Sequence, residues 1–290
     1  MTPKAWVIAG PTAAGKTALS LRVAEAVGAE IVSADAMQVY RGMDIGTAKV
    51  SAAERALVPH HGLDVVGPTD PFDVADFLDI AHRVLRTERP VVVVGGTSLY
   101  LQHLRRGIAE TPAPDPALRA ELLQASGLFE RLQACDPVLA ARLDPADRVR
   151  VVRGVEVFLQ TGRRLSDLQA AHAASPDAVD VAGVWVDVPD LDARIDARVH
   201  AMRDAGYVDE VRALLDSGVP RDAKPMRSLG YRHLADHVLD GRSLDDAFEA
   251  TQRDTRRFAR KQRTWRKHLA LWDAMTVDVV ALASQHLLGG

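Results

Sequence analysis

The stretch Gly10-Pro11-Thr12-Ala13-Ala14-Gly15-Lys16-Thr17 constrains this chain more than any other, because it reads G-x-x-x-x-G-K-T between an apolar run at 6–9 and a helical pattern. A phosphate-binding loop needs those residue types at that spacing. Glycines let backbone N–H groups curl round an anion with no Cβ in the way, Lys16 supplies a point charge, and Thr17 opens the helix and offers its hydroxyl to Mg²⁺. The pattern arises by chance on the order of once per hundred chains of this length, and the flanking strand and helix signals lower that further. A plain glycine turn is a poor account of it, and a bound diphosphate or triphosphate is the starting point.

At 290 residues the chain can bury a full core, either as one large domain or as a core carrying an insertion. Its 47% apolar and 26% charged content is that of a soluble globular protein. The single cysteine, Cys135, excludes an intramolecular disulfide and any Cys-rich zinc site. No apolar run approaches a membrane span and the start of the chain lacks a signal-peptide layout, so a cytoplasmic location without membrane contact is expected. The net charge of −3 hides a segregation: residues 253–267 carry eight Lys/Arg against the single Asp254. One face can therefore be strongly basic and suit nucleic acid.

The periodicity predicts strands at 6–9, 30–34, 63–66, 91–94 and 181–188, and helices at 17–27, from about Asp73, at 191–205, 208–215 and 248–269. The run Val91-Val92-Val93-Val94 has the continuous apolar character of a parallel strand buried on both faces. After Gly107 the character changes: the Pro-punctuated stretch 111–116 leads into a wholly helical, arginine-bearing region. This predicts an α/β fold, a parallel-sheet core of the P-loop nucleoside-triphosphate-hydrolase-like kind at 1–111 and 179–290, with an all-helical insertion at 112–178.

Many NTPases place an acidic residue after four apolar ones to hold Mg²⁺, but here that position is Gly95, and no N-K-x-D guanine-reading motif occurs. A transferase is the better reading. Asp35 is the carboxylate at a strand end nearest the phosphate loop; turn chemistry alone would equally make it a helix cap or turn residue. Arg253, Arg256, Arg260, Arg263 and Lys267 recur at three and four residues as a basic stripe, with Phe258, Trp265 and Leu269 on another face. A solvated helix is the bland account, but salt-bridging acids are nearly absent nearby, which favours a polyanion. His233 and His237 lack the adjacent Glu of a zinc-protease helix, and His60 and His61 do not share a face.

The ordered motifs resemble the tRNA dimethylallyltransferase (tRNA isopentenyltransferase) family. They are the phosphate loop, then Ser33-x-Asp35-x-x-Gln38-Val39-Tyr40-Arg41-Gly42-Met43-Asp44-Ile45-Gly46-Thr47-Ala48-Lys49, Gly95-Gly96-Thr97-x-Leu99-Tyr100, Arg227-x-x-Gly230-Tyr231-Arg232 and Thr255-Arg256-x-x-Ala259-x-x-Gln262-x-Thr264-Trp265. The resemblance spans nearly the whole chain. It implies transfer of a dimethylallyl group from dimethylallyl diphosphate to the exocyclic amine of the adenosine 3′ of the anticodon. Gly10, Pro11, Thr12, Ala13, Ala14, Gly15, Lys16 and Thr17 would bind the diphosphate, with Mg²⁺ on Thr17. Asp35 would be the general base, and Arg227 would pair with the leaving group.

By the same resemblance the tRNA anticodon stem-loop would meet Asp35, Ala36, Met37, Gln38, Thr97, Arg119, Val149, Arg150, Val151, Val152 and Arg153, and the basic stripe adds Arg256 and Arg260. Ala36 and Val149 depart from the family, which commonly has Ser and Gln or Arg there. A monomer is expected. Two alternatives stand beside this reading: a small-molecule kinase of the adenylate or shikimate kinase type, and a non-catalytic nucleotide-dependent RNA-binding module.

Overall fold

A computed structural model describes residues 4–289. It separates into a sheet-bearing unit, running to Arg105 and resuming at Ala178, and a helical unit, Arg106–Asp177. The first begins with β1 (Lys4–Ala9), α1 (Lys16–Val27), β2 (Glu30–Ala34), α2 (Ala52–Leu57), β3 (His60–His61), α3 (Val74–Leu85), β4 (Val91–Gly95) and α4 (Ser98–Arg106). The helices that follow are α5 (Pro116–Gln124), α6 (Leu128–Cys135), α7 (Pro137–Ala140), α8 (Arg148–Thr161) and α9 (Leu165–Ala173). The chain continues through β5 (Asp180–Trp185), α10 (Leu191–Asp204), α11 (Tyr207–Asp216), α12 (Tyr231–Asp240), α13 (Leu244–Trp265), β6 (Trp272–Asp273) and α14 (Val279–Leu288).

The six strands form one parallel sheet in the order β3-β2-β4-β1-β5-β6. β1 lies between β4 and β5, with Trp6 opposite both Val92 and Ala182. Ala5, Trp6, Val7, Ile8 and Ala9 are all buried, as expected of a strand covered on both faces. Burying side chains such as Val7 and Ile8 contributes about 1.5–3 kcal/mol each. The order places the ends of β1, β2 and β4 side by side, so the loops that leave them share one rim of the sheet.

The α/β parallel core is as the sequence implied, but several boundaries differ. The expected strand at 63–66 is not in the sheet; His60 and His61 pair with Ile31 and Val32 instead. Gly62 and Asp64 are left-handed (φ 79° and 54°), which turns the chain off the ladder and lays 64–66 along 38–41, with the Val65 N–H donating to the Val39 carbonyl at 2.8 Å. The fifth strand ends at Trp185 rather than 188, although the Val186 N–H still reaches the Ala9 carbonyl at 2.7 Å. β6, two residues long, is too short to leave a period in the sequence. α13 starts at Leu244, where Ser243 caps it through the Asp246 N–H, and gives way to a 3₁₀ turn at Arg266–His268.

The helical unit closes on its own apolar cluster, centred on Leu122, Leu132, Val151, Val155 and Val157. Inside it, Glu156 is fully buried and accepts hydrogen bonds from Arg119 Nε at 2.9 Å, Arg153 Nη1 at 2.6 Å and the Asp115 N–H at 2.9 Å. Burial opposes the Glu156 charge, yet the two guanidinium groups win and hold its carboxyl below the ordinary range. Arg119 and Arg153 are thereby committed in part to the unit's own architecture.

Candidate active site

The phosphate loop connects β1 to α1 at the shared rim. Ala13 and Gly15 are left-handed (φ 63° and 96°), so successive backbone N–H groups turn toward one side, and α1 opens at Gly15 with no side-chain cap over its first N–H groups. The loop forms one wall of a cavity of about 1000 Å³, to which Lys16, Thr17, Asp35, Gln38, Thr97, Arg198, Arg227, Phe258, Gln262 and Trp265 also contribute. The sequence-predicted diphosphate loop, general base and leaving-group arginine therefore meet in one space.

Lys16 lies back across the loop, donating to the Pro11 carbonyl at 2.7 Å. Burial and the neighbouring Arg198 push its ammonium down to about 8, with Asp35 pulling the other way. Asp35 follows β2 directly. Its Oδ1 accepts the Met37 N–H at 2.8 Å and the Gln38 N–H at 3.3 Å, which closes a tight turn. Oδ2 takes no hydrogen bond from any described residue. Thr97, leaving β4, accepts the Ala36 N–H on Oγ1 at 3.2 Å and donates its own N–H to the Ala34 carbonyl, locking the Asp35 turn to the end of β4. Gly95 has a steric reason: a Cβ there would lie 2.1 Å from the Ala34 carbonyl oxygen, so β4 cannot present an acid at this point.

Arg198 and Glu210 lie outside the quoted motifs, and Gln262 lies within one but its contacts were not visible in the sequence. Arg198 stands on α10 between Ile195, Val199 and Met202, all of which line the cavity at helical spacing. Arg194, one turn earlier, lines the same cavity, and two arginines four residues apart among apolar neighbours were the available signal. Glu210 on α11 accepts the N–H groups of Asp44, Ile45 and Gly46 at 2.8, 2.7 and 3.1 Å and the Tyr231 hydroxyl at 2.6 Å. It thus fixes a loop whose Thr47 carbonyl, in turn, orients the Gln38 amide at 3.2 Å. Gln262 on α13 reaches the phosphate loop itself, accepting the Thr12 N–H at 2.9 Å. These contacts join residues up to 250 positions apart, beyond any local pattern.

The model of the IPP transferase family matches residues 38–269, and that of the isopentenyl transferases matches residues 3–64. The chain belongs to the IPP transferase family. It is 47% identical over 275 residues to tRNA dimethylallyltransferase 1 of Syntrophotalea carbinolica, covering 91% of this chain and 88% of that one. It is 46% identical over 272 residues to the tRNA dimethylallyltransferase of Geobacter sulfurreducens, covering 89% and 87%. The tRNA delta(2)-isopentenylpyrophosphate transferase of Staphylococcus epidermidis superposes with a TM-score of 0.68 at 31% identity over 98% and 97% of the two chains. A eukaryotic dimethylallyltransferase acting on tRNA shares the fold, with a TM-score of 0.80 at 24% identity over 99% and 77%. Membership of this family of prenyltransferases supports the transferase reading over the kinase alternative.

Within an IPP transferase frame the RNA-contact candidates divide. Ala36, Met37 and Gln38 line the cavity with Asp35 and Thr97. In α8, Val149 is 76% exposed and Arg150 projects outward beside Asp147, but Val151 and Val152 are buried in the helical unit's core. Their side chains belong to the apolar cluster that includes Leu132 and Leu139, because 151, 152 and 155 share the inner face of the helix. Direct side-chain contact with RNA at these two valines is therefore corrected.

The expectation that the basic stripe lacks counter-charges is corrected too, because three of its five cations meet acids from elsewhere in the chain. Arg256 pairs with Asp196, Arg260 with Asp192 at 3.7 Å, and Arg263 takes Asp187 in a two-pronged grip at 2.7 and 2.9 Å. Arg256 and Arg263 hold α13 to α10 and to the end of β5. Arg260 and its partner are both more than half exposed, leaving this cation open to exchange. Phe258 and Trp265 line the cavity, each 41% exposed.

Proposed function

We propose that this chain transfers a dimethylallyl group from dimethylallyl diphosphate to the N6 amine of the adenosine 3′ of the anticodon in tRNA, releasing diphosphate. The observation that carries the reading is the meeting of an anion-seating loop, a carboxylate with an uncommitted oxygen and an aromatic wall in one cavity of a single chain.

The adenine N6 lone pair is delocalised into the ring and is a weak nucleophile. As N6 bonds to the allylic carbon, the carbon–oxygen bond breaks, its electron pair leaves with the diphosphate, and Asp35 takes the N6 proton. Lys16, Arg198, Arg227 and the loop N–H groups hold the anion as its charge grows. A stacked anticodon base cannot reach this interior, so the nucleotide is extruded and seats near Asp35, Gln38 and Thr97. Phe258 and Trp265 supply stacking and apolar surface.

Mg²⁺ fits the donor set. Thr17 lines the cavity beside Lys16 and Asp35 and offers a hydroxyl oxygen, a hard donor of the kind such an ion takes. Such an ion would take the Thr17 hydroxyl, phosphate oxygens and water, and would offset leaving-group charge. Among the described residues no helix is long and apolar enough to cross a membrane. The lone thiol of Cys135 suits a reducing, cytoplasmic setting.

The test is mass spectrometry of nucleosides from tRNA incubated with purified protein and dimethylallyl diphosphate, with labelled ATP in a parallel reaction. A prenylated adenosine with no phosphoryl transfer is the expected result; phosphoryl transfer without it would restore the kinase. The reaction should also carry an alkaline limit. Lys16 binds the diphosphate as a cation and loses its proton as pH rises through about 8. The ratio kcat/KM for the diphosphate should therefore fall above that pH, while tRNA affinity stays level. A flat profile from pH 7 to 9.5 would remove Lys16 from the anion site.

A further inference from the structure

We propose that Gln262 is a positioning residue that sets the separation between the diphosphate seat and the Asp35 turn. The inference rests on the proposed transfer reaction and adds to it a group that acts through the two loops it joins. Gln262 sits on α13, 6% exposed, with its side-chain amide spanning two loops at the rim. Oε1 accepts the Thr12 N–H at 2.9 Å, and Nε2 donates to the Gly96 carbonyl at 3.0 Å. One loop offers a donor and the other an acceptor, so a single amide orientation satisfies both.

The two loops do different work. Thr12 belongs to the phosphate loop, and Gly96 precedes Thr97, whose hydroxyl and N–H lock the Asp35 turn. The amide is thus the cross-piece between the part that holds the leaving group and the part that holds the base. The fit on the Gly96 side is close: a Cβ there would lie 2.2 Å from Gln262 Nε2. On the other side, Thr12 is gripped by Gln262 and its neighbour Ala13 by Arg194 of α10, whose Nε donates to the Ala13 carbonyl at 3.0 Å. α10 and α13 are themselves tied by Arg256 and Asp196.

One consequence is chemical: the Thr12 N–H is spent on the protein, so the amides left for the anion belong to the following residues. A second follows from where the helix goes next. Phe258, Lys261 and Trp265 project from the same stretch of α13 into the cavity. The helix that positions the loops therefore also meets whatever enters beside them, and Gln262 is the link between the two.

The experiment compares wild type, Gln262→Met, Gln262→Glu, Gly96→Ala and the Gln262→Met/Gly96→Ala pair. Each is followed by single-turnover transfer at saturating substrates, by calorimetric binding of inorganic diphosphate, by tRNA affinity and by thermal melting. Methionine keeps the volume and loses both hydrogen bonds. Glutamate keeps the acceptor for Thr12 and sets a carboxylate against the Gly96 carbonyl. Displacing reacting groups by about 1 Å costs on the order of 100-fold in rate. Gln262→Met should therefore slow the single-turnover step by roughly 30- to 100-fold with tRNA affinity unchanged, and Gln262→Glu should be at least as slow.

Gly96→Ala, which drives the amide aside, should give a loss that does not add to that of Gln262→Met. Wild-type single-turnover rates in Gln262→Met, or fully additive losses in the pair, would overturn the proposal. So would an equal fall in melting temperature and rate that Gln262→Glu escapes. Should the wild type bind diphosphate and yet transfer nothing, the proposed reaction fails by itself. Weaker diphosphate binding in Gln262→Met then still supports the cross-piece, and unchanged binding refutes it.

Discussion

Asp35→Asn is expected to reduce single-turnover transfer by about three orders of magnitude or more, within the range that removal of a general base costs. The substitution isolates the proton. Oδ1 is the atom that closes the turn with the Met37 and Gln38 N–H groups, and asparagine retains it. The fold, the Thr97 lock and tRNA affinity within a few fold should survive, and only acceptance of the N6 proton is lost. A rate near wild type would show that water or the diphosphate itself takes that proton.

The next largest effect is expected at Arg198, a residue with no place in the sequence motifs. Arg198→Ala should lower kcat/KM for the diphosphate by roughly 100- to 1000-fold, the cost of one preorganised group facing a developing anion. A second readout makes this specific to charge. Arg198 is one of the causes that push the Lys16 ammonium down, and Asp35 opposes it. Removing Arg198 lets Lys16 keep its proton to higher pH, so the alkaline limit should move up in Arg198→Ala and down in Asp35→Asn. An unchanged limit in both variants would mean that Lys16 does not sense these neighbours.

How much was legible follows from the range of each interaction. Lys16, Thr17 and Asp35 stand within a single strand-loop-helix-strand passage, and their setting at the sheet rim could be read from types and spacing alone. The same local view misjudged α13. Its own segment holds few acids, yet Asp187, Asp192 and Asp196 approach from a helix and strand end 60 to 76 positions earlier. Val151 and Val152 failed for a different reason: a segment expected to touch RNA is a helix, and a helix cannot turn every successive side chain to one partner. Glu210 and Gln262 act on backbone groups of loops 166 and 250 residues distant, and a backbone N–H leaves no trace in a sequence.

The place of β1 in the sheet governs how this chain can be made. One edge of β1 is satisfied early by β4, but the other waits for β5, whose pairing runs from Asp180 opposite Lys4 to Trp185 opposite Ala9. Between them the ribosome must deliver the whole of Arg106–Asp177. At ordinary elongation speeds that interval is roughly 4–15 s, during which a long apolar strand edge stands open to other chains. The inserted helices carry an apolar cluster of their own and can close during that delay, drawing the two ends of the gap together and shortening the loop that β5 must still bridge. Mutations that loosen the core of this unit, at Leu132 or Val155 for example, are therefore expected to show first as lost yield of soluble protein during synthesis.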